Sequence, residues 1–178
     1  MKRTIAITVF FIVFLIIYFL QSNFFCWYNI AGIEPNIFII FMLFIGLYAG
    51  KKYGFVVGVI FGFLLDLFIG KRIGLNGFML GITGVLGGIL ARNYSQGNRI
   101  TFILITAGIT ILVEMLSYIL QIAVMHSQIL FIKYISIIII EAIYNSIITI
   151  ILYPLIQKMG NIVGRIFNEK NNSFMKIY

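Results

Sequence analysis

Apolar positions gather in six blocks, at 4–20, 37–49, 55–69, 75–91, 100–124 and 134–156, and short polar or basic turns separate them. Each block approaches or reaches the ~20 residues that a helix needs to cross hydrocarbon. A spanning helix satisfies its own backbone hydrogen bonds, and the period-two alternation of a membrane barrel is absent, so the blocks read as helices. The expected fold is all-α, a polytopic membrane bundle of about six transmembrane helices. The second and third blocks are short, which leaves room for one of them to be re-entrant. Merging 37–69 into one span would bury Lys51 and Lys52 in lipid, a costly placement. Lys2 and Arg3 precede the first block as in a signal peptide, yet the block is long and no small-residue cleavage site comes after it. A retained first helix is expected. Phe24, Phe25, Trp27 and Tyr28 after it form an aromatic cluster suited to headgroup depth.

Glycine recurs within the apolar pattern. It stands at every fourth residue at Gly46, Gly50, Gly54, Gly58 and Gly62, then at steps of three and four at Gly74, Gly77, Gly81, Gly84 and Gly88. On a helix this spacing leaves one bare face. In lipid, where tails are as apolar as Leu, such a face lets a second backbone approach and gain dispersion contacts. The stretch 53–90 is therefore expected to be the packing centre. Gly81–Gly88 lacks the Gly-Lys-Ser/Thr of a phosphate loop, so helix packing explains its glycines better than nucleotide binding.

Composition sharpens this picture. Of 178 residues, 62% are hydrophobic and 10% charged, and mean hydropathy is +1.10, more apolar surface than a soluble domain could hide. The net charge of +8 raises the possibility of nucleic acid, but the basic residues sit in ones and twos beside the apolar blocks. Membrane topology accounts for them, and no nucleic-acid partner is expected. Lys2, Arg3, Lys51, Lys52, Arg92, Arg99, Lys158, Arg165, Lys170 and Lys176 fall on one side of a six-span arrangement; only Lys71, Arg72 and Lys133 fall on the other. That asymmetry places both termini in the cytoplasm. The chain divides into a six-helix transmembrane domain, 1–157, and a basic cytoplasmic tail, 158–178. In the tail, Ile162, Val163, Ile166 and Phe167 share a face, which fits a surface helix with Lys158 and Arg165 at anionic headgroups.

Few residues could carry chemistry. Cys26 is the only cysteine and His126 the only histidine, without further ligands at metal spacing. No metal site, cofactor or catalytic set is expected. Asp66, Glu114 and Glu141 are carboxyls within apolar blocks. Glu114, Ser117, Tyr118 and Gln121 align on one helix face, and Glu141, Tyr144, Asn145 and Thr149 on another. These stripes suit either a polar site for a proton, ion or small substrate or a hydrogen-bonded structural core. The structural reading is preferred, since a pathway would show further charges. For Asp66, one turn before Gly70-Lys71-Arg72, two explanations stand: a charge pair with that basic turn, or a protonated carboxyl bonded to a neighbouring helix.

With these residues placed, the chain resembles the rod shape-determining protein MreD family. The resemblance rests on Pro35-Asn36 opening the second helix, on Gly54, Gly58, Gly62, Leu65-Asp66-Leu67, Gly70 and Gly74, and on Asn145 and Pro154 in the last helix. It implies a non-enzymatic subunit of the bacterial elongation machinery in the inner membrane. Its implied partners are an MreC-like bitopic protein, the actin-like MreB filament, a RodA-type glycosyltransferase and a class B penicillin-binding transpeptidase. It also implies a fold related to the substrate-binding subunits of vitamin transporters, which makes a small-molecule carrier the alternative function.

Overall fold

The computed structural model describes residues 2–69, 74–91, 94, 98–125 and 131–172. Its centre is α2 (Ile37–Ala49), all 13 of whose residues are buried. The segment IFIIFMLFIGLYA carries no charge, so protein can enclose it on every side without orphaning an ionised group. At 1.5 Å per residue it measures only about 20 Å. Enclosure by other helices removes the need to match the ~30 Å hydrocarbon thickness. Gly50, at φ +91°, ends α2, a backbone conformation that L side chains rarely adopt. The chain then reverses into α3 (Lys51–Ile69), and α4 (Leu75–Leu90) lies across both.

The remaining helices are α1 (Lys2–Phe19), continued by a π-helical turn at Leu20–Phe25, then α5 (Arg99–Met125) and α6 (Phe131–Asn172). The described residues are thus all-helical apart from turns, with six helices. Four stretches are long and apolar enough to cross a membrane: Thr4–Phe25, Lys51–Ile69, Arg99–Ala123 and Phe131–Phe167. The short helices are α2 and α4; the third block is not short, because α3 takes Lys51 to Gly54 as its first turn.

Aromatic contacts show that α1 and α3 run the same way and that α6 ends where they begin. At one end, Phe10 of α1 stacks on Phe167 of α6 with ring centroids 6.1 Å apart, and Tyr53 at the start of α3 meets Phe167 at 4.5 Å. Towards the other end, Tyr18 meets Phe68 near the close of α3 at 5.0 Å. The beginning of α1 and the end of α6 therefore share one end of the bundle.

The last helix does not stop at Ile156. It runs through Pro154, which forfeits one backbone bond, and continues to Asn172. Packing of the segment beyond Pro154 holds it in place: Ile156, Val163 and Phe167 are buried, and the Tyr48 ring lies flush against Gly160, where a Cβ would collide with it. Val163 and Phe167 thus join the core instead of facing headgroups, while Ile162, expected on the same face, is 55% exposed.

Candidate functional site

The glycine seam joins α2, α3 and α4. A Cβ built at Gly46, Gly54, Gly58, Gly62 or Gly84 would come within 3.0 Å of backbone atoms on a facing helix. Gly54 and Gly46 both meet Gly84, Gly58 meets Leu80, and Gly62 meets Asn76. These positions admit no side chain. The seam is less strict at Gly81, where a Cβ would meet the Val59 side chain, and at Gly77, where its nearest neighbour, Phe63 N, lies at an ordinary 3.4 Å.

Asp66 stands at the end of this seam. It is 1% exposed, and its carboxylate accepts from the backbone N–H groups of Gly74, Asn76 and Gly77 at 2.8, 3.3 and 3.2 Å. The Asn76 side-chain amide donates a further bond at 2.9 Å. The first turn of a helix leaves its N–H groups without intrahelical partners and carries the positive end of the helix dipole. Asp66 fills both needs for α4, from a different helix. Gly74, at φ +95°, turns the chain so that these donors converge. The donors seen here are backbone and amide N–H groups at the start of α4; the expected charge pair with the basic turn falls on residues outside those described. Lys71, Arg72 and Gly70 lie outside the described residues, as does His126.

A second polar cluster joins α5 and α6 to the start of α2. Asn145, fully buried, accepts from the Asn36 backbone N–H at 2.8 Å and donates to Thr110 Oγ1 at 3.1 Å. Asn36 caps α2 without a side-chain capping bond, and Gln21 accepts from the next N–H, of Ile37, at 3.3 Å. Pro35 before it is buried. The Tyr134 hydroxyl donates to Glu114 Oε2 at 3.0 Å, and Gln121 approaches that hydroxyl at 3.5 Å. Glu141 lies beside Glu114 and the Asn36 side chain, and its buried Oε1 accepts no hydrogen bond from the described residues. The Tyr118 ring meets that of Tyr134 at a tilt, with centroids 4.5 Å apart. Tyr144 departs from the stripe and donates to the Tyr28 carbonyl near α1. Sequence reading missed Tyr134, Thr110 and Gln21. Two of them carried a signal, since Thr110 is one turn before Glu114 and Tyr134 two turns before Glu141.

Between this cluster and Asp66 lies a chamber of about 140 Å³, bordered by Gln21, Ser22, Asn36, Asn76, Glu114 and Ser117 and by apolar side chains of α2 to α5. A separate groove of about 560 Å³ runs between α1, α2 and α6; it is almost wholly apolar and can offer only hydrocarbon contact. Among the described residues, no three His, Cys, Asp or Glu side chains converge as a metal site.

No curated protein and no solved structure matches the chain. The family model of the rod shape-determining protein MreD matches residues 1–163 of the 178. With its membrane helices and glycine seam, this chain belongs to the MreD family.

Proposed function

We propose that the protein is a non-enzymatic scaffold of the cell-wall elongation machinery, resident in the bacterial inner membrane with both termini cytoplasmic. It would hold an MreC-like bitopic protein and, with it, the MreB filament, a RodA-type glycosyltransferase and a class B penicillin-binding transpeptidase. The observation that carries this reading is the family match over residues 1–163. A core whose backbones touch through Gly54, Gly58 and Gly62 supports it, since close packing gives a bundle the stiffness that fixed partner contacts need. The carrier alternative has no match behind it.

Depletion in the host tests the proposal. Depleted rods should swell and round up as lateral wall synthesis loses its organisation, and the tagged protein should co-purify with wall-synthesis proteins. Depleted cells that stay rod-shaped but come to need an added vitamin would replace the scaffold with the carrier.

A further inference from the structure

The chamber lies where the start of α2, the end of α3 and the start of α4 meet. One water needs roughly 10–15 Å³ of cavity space, so about 140 Å³ has room for several waters or a small ligand. Its polar lining residues are the uncharged Tyr18, Gln21, Ser22, Asn36, Asn76 and Ser117, together with Glu114. Among the described residues, no Lys, Arg or His lines it. Behind Glu114 stands Glu141, 7% exposed, with an Oε1 that receives no donor from the described residues.

Among the described residues, the lining thus holds one carboxyl and no positive charge. Two carboxyls side by side repel when both are ionised, and each ionised carboxylate is costly to hold away from water. The backbone N–H groups nearby are already taken: Asn145 takes that of Asn36, Gln21 that of Ile37, and Asp66 those at the start of α4, so the Glu pair has only the Tyr134 hydroxyl, at Glu114, and the Asn36 amide, at Glu141, as neutral donors. A cation placed in the chamber would meet the Glu114 carboxylate and neutral oxygens, the donor set that hard cations prefer. Because no three carboxyl, His or Cys groups converge among the described residues, the set fits a single positive charge better than a divalent metal.

We propose that this chamber binds a monovalent cation, an alkali metal ion or a small primary ammonium group, with Glu114 as its counter-charge and Ser117 and Asn36 as neutral ligands. The site is distinct from the glycine seam and does not depend on the scaffold reading.

The test uses the purified full chain in nanodiscs, with ionic strength held constant by N-methylglucamine chloride. Thermal unfolding is followed while sodium, potassium or methylammonium chloride replaces that salt. At least one of the three should raise Tm in a saturable way; a response to sodium or potassium identifies a metal ion, and a response to methylammonium alone identifies an amine ligand. Glu114→Gln should abolish the saturable rise. Ser117→Ala, which removes one hydroxyl and keeps the helix, should weaken the apparent affinity at least tenfold, and it decides the matter if Glu114→Gln fails to fold. Absence of any saturable rise, or an unchanged affinity in Ser117→Ala, would overturn the site.

Discussion

Four N–H donors converge on the two oxygens of Asp66, and this fixes what each substitution there must do. A carboxylate accepts on both oxygens, whereas an amide offers one acceptor and turns an NH₂ towards the remaining donors. Asp66→Asn therefore loses about half the bonds and adds a repulsive contact, and Asp66→Leu loses all of them. Leaving buried donors unpaired costs ~1–3 kcal/mol each, so Leu, which orphans all four, should lower stability by at least ~4 kcal/mol and Asn by roughly half as much. Thermal unfolding of the purified variants measures both losses. Wild-type stability in Asp66→Asn would remove the capping role. The position of this carboxylate was legible in the sequence, but its role was not. Its partners lie 8 to 11 residues away across a turn, and the adjacent Lys71-Arg72 offered a simpler pairing. Asn145 shows the same limit, since its acceptor role at Asn36 spans 109 residues and no local pattern encodes that contact.

At the scale of elements, periodicity revealed that a glycine face exists, but it could not rank its members. The ranking comes from what faces each glycine: backbone at Gly58 and Gly62, a side chain at Gly81, ordinary contact distance at Gly77. A side chain can move aside, whereas facing helix backbones must separate, and overpacking of that kind costs ~1–3 kcal/mol or more. Gly58→Ala and Gly62→Ala should each lower the Tm and the yield of folded protein strongly, Gly81→Ala less, and Gly77→Ala hardly at all. Val59 cannot serve as a lipid-facing control, because its Cγ2 atom fills the space over Gly81; Val56, 52% exposed, serves instead. Equal losses at Gly62 and Gly77 would refute the backbone-contact account. The extent of α6 was hidden for a related reason. Pro154 and the polar residues after it read as an ending, and only the seats for Val163 and Phe167 on other helices carry the helix onward.

For the whole molecule, the count of helices came from hydropathy, while their sidedness comes from joining two independent observations. Ten of the thirteen basic residues fall on one side of a six-span arrangement. The bundle separately brings Phe10, Tyr53 and Phe167 together at one end, close in sequence to the basic residues Lys2, Arg3, Lys51, Lys52 and Arg165. Lys and Arg near membrane boundaries are retained in the cytoplasm, so that end should face inward. Because α2 is sheathed in protein, its short length does not argue against a full six-helix alternation; its neighbours supply the apolar surroundings that lipid gives the longer helices. Reporter fusions after Lys52, Ser95 and Lys170 should then be active on the cytoplasmic side, and fusions after Ser22, Gly74 and Ser127 on the outer side. The fusion after Ser127 is the most decisive of the six. It comes after α5, so an outward signal requires an odd number of crossings before it, as five separate spans provide. A cytoplasmic signal there would mean an even number of crossings before it, as when 37–69 crosses once as a single span, and the six-span arrangement would fall.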